Sequence, residues 1–112
     1  MAAEEITISK NEYLMREGDE SKAMYYIKEG VLTVFKRKGD KDVQIGTVYS
    51  GELIGEMSFL DKLPRSASVM AISDCQCIEI PREKFDKLFE KLPPWFFALL
   101  NTLLDRLRKA NA

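Results

Sequence analysis

The stretch Gly51–Ala71, GELIGEMSFLDKLPRSASVMA, carries two glycines four residues apart and then Pro64-Arg65-Ser66-Ala67. Gly51 and Gly55 permit close backbone approaches that a Cβ would forbid. The run Glu56-Met57-Ser58-Phe59-Leu60 is long enough for about one helical turn, whose free N–H groups would face an anion. Pro64 stiffens the exit, and Arg65 offers a charged fork that matches phosphate oxygens. Ser66 adds a hydroxyl beside it. Glu56 does not fit a plain phosphate site, because a carboxylate repels phosphate. An ionised carboxylate only accepts hydrogen bonds, so a sugar hydroxyl suits it. Two arrangements are open on these residues: phosphate at Arg65 with ribose at Glu56, or an ion pair between the two side chains.

On the N-terminal side the chain is a train of short β-prone runs broken by turn residues, which predicts a sandwich or barrel rather than alternating βα units. The runs are Glu5–Ser9, Tyr13–Arg16, Ala23–Glu29, Val31–Lys38 and Val43–Tyr49. In the last of these, strict alternation predicts Val43, Ile45, Thr47 and Tyr49 on one face. Lys36-Arg37-Lys38 is followed at once by Asp40 and Asp42, as expected of a solvated hairpin end. On the C-terminal side Ala67–Ile72 and Cys75–Ile80 continue the β pattern. Pro81 then opens a helix over Arg82–Lys91, and Pro93-Pro94 separates it from a second helix to about Lys109. That second helix has more apolar surface than one docking stripe needs. Phe96, Leu99, Leu100, Leu103 and Leu107 make the stripe, while Phe97 and Leu104 are the expected surplus, available to a partner.

The 112 residues make one domain's worth of chain, with 17 Lys+Arg against 18 Asp+Glu. No overall basic field draws in nucleic acid, and the basic residues Arg106, Arg108 and Lys109 complement the helix dipole instead. No run is apolar enough for a membrane span or signal peptide, so the expected location is cytoplasmic. Zero histidine disfavours Ser-His-Asp and Cys-His catalysis. Cys75 and Cys77, the only cysteines, are two apart on a strand. They fit neither a disulfide nor a zinc site, and are expected to be packing residues.

The central stretch, Gly55-Glu56-Met57-Ser58-Phe59-Leu60 followed by Pro64-Arg65-Ser66-Ala67, resembles the phosphate-binding cassette of the cyclic nucleotide-binding domain family. Gly18-Asp19, Gly30 after Tyr25-Tyr26-Ile27, and Gly51-Glu52 fit the same pattern, and the resemblance covers roughly Ile6 to Lys109. It implies a mainly β fold: an eight-stranded β-roll of jelly-roll type, with a short cassette helix and two C-terminal helices, in a single domain. Arg65 would bind the exocyclic phosphate, helped by Ser66 and by backbone N–H groups at Met57, Ser58 and their neighbours. Glu56 would take the ribose 2′-hydroxyl, Gly55 would allow the close approach, and Ala67 would pack beneath the phosphate. Val48, Leu53 and Ile54 are the expected sugar and base wall, with Arg106 as the candidate on the last helix. The chain begins almost directly with a strand and stops shortly after Arg106, so no base-capping residue is evident beyond it.

The expected function is a sensor of cyclic AMP, with cyclic GMP as second candidate and no cofactor. It would signal through its last helix to a protein partner or a second copy. One rival is the same fold acting as an interaction or dimerisation module without nucleotide. The other is a β-barrel enzyme, which the missing histidines disfavour.

Overall fold

The computed structural model describes residues 4–56 and 63–110. Among them, eight strands form two four-stranded sheets in which every pairing is antiparallel. The strands are β1 (Glu4–Ile8), β2 (Tyr13–Met15), β3 (Ala23–Glu29), β4 (Leu32–Lys38), β5 (Lys41–Val48), β6 (Leu53–Ile54), β7 (Ser68–Ala71) and β8 (Cys75–Pro81). One sheet runs β1-β8-β3-β6 and the other β2-β7-β4-β5. Two helices follow, α1 (Arg82–Phe89) and α2 (Pro94–Ala110). The expected cassette helix falls largely on residues 57–62, outside the described residues.

Each sheet turns one face inward, and period-two alternation decides which side chains go there. Ile27, Cys75 and Cys77 come from the first sheet, and Leu32, Val48, Val69 and Ala71 from the second. Together they form the buried core. Both cysteines are free thiols in this core, as expected of packing residues. Burial and the neighbouring Cys75 push the Cys77 thiol up to about 11.

Gly30 makes the turn from one sheet to the other at φ +112°. A Cβ there would lie 2.5 Å from Cys75 Sγ and 2.8 Å from Asp74 O. The core cysteine and the glycine are therefore fitted to each other.

The β4–β5 pairing departs from simple alternation. Val34 faces Gly46 and Phe35 faces Gln44, which leaves Ile45 without a partner in a β-bulge. Such bulges re-aim a side chain. The expected single face of Val43, Ile45, Thr47 and Tyr49 is thus broken. Past the bulge it is Val48 that points into the core, and Ile45 is redirected.

Pro81 ends β8 and caps α1, without a side-chain cap. The α1 backbone begins instead with the Arg82 N–H donating to Lys22 O at 3.1 Å. Phe85, Phe89 and Phe97 stack in sequence, with ring centroids 4.7 and 3.9 Å apart, and this joins α1 to α2. Leu104 is the buried residue of α2. The expected surplus of Phe97 and Leu104 is corrected at Leu104, which is buried, while Phe97 touches Phe89 and is still 41% exposed. The outward ridge is Trp95, Leu99, Leu103 and Leu107, all exposed. No helix among the described residues is long and apolar enough to cross a membrane.

Candidate functional site

A cavity of about 180 Å³ is lined by residues of β2, β4, β5, β6 and β7 and by the Gly55–Glu56 and Arg65–Ala67 segments. Its polar end is formed by Gly55, Glu56, Arg65 and Ser66. Its apolar wall comes from Met15, Val34, Ile45, Ile54 and Val69, with Ala67 between the two. All five of these wall residues are strand residues, so the framework that holds the cavity is the sandwich itself.

Arg65 is the anchor. It is only 5% exposed, which is unusual for a cation and demands built-in partners. Its Nη1 donates to Gly55 O at 3.0 Å and its Nη2 donates to Ala23 O. Its backbone is held as well, with Arg65 N donating to Asp19 O at 2.8 Å and Arg65 O accepting from Gly18 N at 2.9 Å. These carbonyl oxygens orient the guanidinium and are themselves uncharged. Burial lowers the Arg65 pKa, with the charge of Arg82 acting the same way and those of Tyr25 and Asp19 against it. The Tyr25 ring lies 5.9 Å from the guanidinium carbon. Its hydroxyl donates to Glu79 Oε2 at 3.2 Å.

Gly55 sits at φ +81°, and its Cα faces Arg65 so closely that a Cβ would stand 2.6 Å from Nη1. The glycine is required by the arginine next to it, before any ligand is considered.

Glu56 bears on one of the two arrangements that the sequence leaves open. No ion pair among the described residues joins it to Arg65. Its Oε2 is buried with no hydrogen-bond partner among the described residues. A buried carboxylate oxygen without a donor is costly, because its hydration is lost and not replaced. An ionised carboxylate oxygen can only accept, so this atom calls for a donor.

Of the expected site residues, Gly55, Glu56, Arg65, Ser66, Ala67 and Ile54 come together on this cavity. Met57 and Ser58 lie outside the described residues. Val48 and Leu53 are not on it. Val48 is turned into the core by the bulge, and Leu53 alternates with Ile54 across β6, so only one of the two faces inward. Arg106 stands on the polar side of α2 beside Asn101, Thr102 and Asp105. Sequence reading missed Met15, Val34, Ile45 and Val69. Gly46 within a strand pattern was the available signal for the bulge that presents Ile45. Among the described residues, no three metal-binding side chains converge.

The family model for the cyclic nucleotide-binding domain matches residues 5–92. The chain is 34% identical over 96 residues to the cyclic AMP receptor protein of Thermus thermophilus. That alignment covers 85% of this chain but 44% of the relative, so the chain spans less than half the length of that protein. The crystal structure of the Thermus thermophilus catabolite activator protein superposes with a TM-score of 0.82 at 30% identity, covering 97% of this chain and 52% of that one. The EAL enzyme Bd1971, solved in a cAMP-bound and a cGMP-bound form, superposes at TM-scores of 0.80 and 0.82 with 27% and 26% identity. Each covers 96% of this chain and 29% of that one. The chain belongs to the cyclic nucleotide-binding domain family.

Proposed function

We propose that this chain binds a cyclic purine nucleotide, cyclic AMP in the first place, and acts as a regulatory module rather than as a catalyst. The observation that carries the reading is the pairing of opposite needs in one small cavity. Arg65 brings a buried positive charge set by neutral carbonyls, and Glu56 brings a buried oxygen that lacks a donor. A ligand with a phosphate and a neighbouring hydroxyl satisfies both. The apolar wall of Val34, Ile45 and Ile54 suits the edge of a sugar and the start of a flat base. A cavity of about 180 Å³ is below the ~300 Å³ of a whole-ligand pocket. In this reading the sugar-phosphate is enclosed and the base projects outward.

The module's output passes through α2 to a protein partner or a second copy. The support is the ridge of Trp95, Leu99, Leu103 and Leu107, an apolar face that its own sandwich leaves uncovered. Ligand shifts the population of α2 between positions, and the ridge is what a partner reads.

Calorimetry with cyclic AMP and cyclic GMP, on the wild type and on Arg65→Ala, tests the reading. The wild type is expected to bind, and the variant to bind about 10- to 150-fold more weakly, as for loss of a charged hydrogen bond. A wild type that binds neither nucleotide would leave the fold serving as an interaction module alone.

A further inference from the structure

Tyr25 stands on β3, between β8 and β6. It is registered against Glu79 on one side and against Ile54 on the other. Strand alternation turns it inward with Ala23 and Ile27, and it packs against the core. The two carbonyls that hold the Arg65 guanidinium flank it. Ala23 O, which accepts from Nη2, lies two residues back on the same strand. Gly55 O, which accepts from Nη1, belongs to the residue after Ile54. The guanidinium carbon lies 5.9 Å from the centroid of the Tyr25 ring. A ring face attracts a cation within about 6 Å of its centroid. The ring has a tether of its own, because its hydroxyl donates to Glu79 Oε2 at 3.2 Å. A phenol that donates to a carboxylate holds more electron density in its ring, and its pull on a cation grows with it.

We propose that Tyr25 is a positioning residue for Arg65, with Glu79 acting through it. This role rests on the reading of Arg65 as the phosphate-binding residue. The two carbonyl acceptors fix a line through Nη1 and Nη2. The ring acts on the tilt of the guanidinium plane about that line, and so on the direction in which the cation is presented. Unlike a carboxylate, the ring attracts the cation and is itself uncharged. An arginine already tilted toward its ligand binds without first having to be ordered. Tyr26, the next residue on the strand, faces outward and is exposed, so it has no part in this.

Calorimetry on the full chain with cyclic AMP, and nitrogen NMR of the Arg65 guanidinium without ligand, test the role. Tyr25→Leu removes the ring and is expected to weaken cyclic AMP about 2- to 30-fold, the range of a cation–π contact. Tyr25→Phe keeps the ring and should restore most of that loss. Glu79→Gln should weaken binding less than Tyr25→Leu does, and should cost nothing further in Tyr25→Phe, where the tether is already gone. Tyr26→Leu should leave affinity unchanged. Added to Arg65→Ala, Tyr25→Leu should cost nothing more. The same loss in both backgrounds would mean that Tyr25 merely supports the fold, and would overturn the proposal. In the ligand-free protein, rotation of the Arg65 guanidinium about its Cζ–Nε bond should be faster in Tyr25→Leu than in the wild type. If Tyr25→Leu does not fold, Tyr25→Phe and Glu79→Gln are each expected to speed that rotation, and a wild-type rate in both overturns the role. An unchanged rate in a chain that binds cyclic AMP removes the positioning and leaves the binding function standing. A faster rate in a chain that binds no nucleotide upholds the positioning and removes the function.

Discussion

Gly55 and Arg65 are in direct contact: Nη1 of the arginine donates to the glycine carbonyl at 3.0 Å, and a Cβ on the glycine would lie 2.6 Å from that same nitrogen. Gly55→Ala therefore adds a clash with the guanidinium to the strain of a left-handed backbone. A loss of roughly 1–3 kcal/mol in stability is expected, together with weaker nucleotide binding. Gly39→Ala is the control. Its φ is +65°, but an added Cβ meets nothing within 4 Å. It should show backbone strain of about 1 kcal/mol and unchanged affinity. Urea titration and calorimetry on the two variants separate these outcomes, and full affinity in Gly55→Ala would contradict the contact.

Glu56 should behave as a residue kept at a cost. Its buried Oε2 has no partner among the described residues. Glu56→Gln removes the uncompensated charge and is expected to leave the empty protein as stable or more stable by roughly 1 kcal/mol. The same change should weaken cyclic AMP. With 2′-deoxy cyclic AMP the wild type should lose about tenfold in affinity, and Glu56→Gln should lose much less between the two ligands. Thermal unfolding without ligand and calorimetry with both ligands check this. Equal losses in the two proteins would detach Glu56 from the hydroxyl.

Tyr25 should titrate late. Burial, then the charge of Glu79 and the hydrogen bond to it, push its hydroxyl up to about 12 from an ordinary 10. Because the folded value is the higher one, the unfolded chain ionises first as pH rises. The stabilisation is whole below pH ~10 and is lost progressively toward pH ~12. Tyr25→Phe should flatten that alkaline fall in stability. Absorbance of tyrosinate against pH, with the variant as reference, gives the assignment.

Leu103 and Leu104 are neighbours on α2 with opposite fates, 47% and 9% exposed. Leu104→Ala should cost about 2–3 kcal/mol, while Leu103→Ala should stay within ~0.5 kcal/mol. If the ridge meets a partner, Leu103→Glu should reduce association with no loss of folding. Chemical denaturation and sedimentation velocity make the distinction.

These α2 residues show where sequence reading stops. Helical periodicity measures how wide the apolar arc is, but it says nothing about which part of the arc the sandwich covers. Phe97 meets Phe89 and is still partly exposed, a contact that depends on how the chain turns at Pro93-Pro94. Strand β3 lies over the expected Ala23–Glu29, because Gly30 marks its end and β-prone residues fill it. Strand β6 has two residues, too few for any periodicity to register. Arg65 and Glu56 were legible as chemistry, since their residue types alone ask for phosphate and hydroxyl. Ile45 was not, because a bulge changes the phase of a strand through pairing with another strand.

Trp95 is the only tryptophan in the chain, and it sits on the first turn of α2 with 66% of its surface in water. Neither sheet carries an indole. The protein therefore has a built-in optical label on one helix and none on the sandwich. Indole emission should follow the surroundings of α2, while heat measured in a calorimeter follows capture of the ligand. Recorded in one titration, the two signals would separate occupancy from response without a dye or an engineered probe.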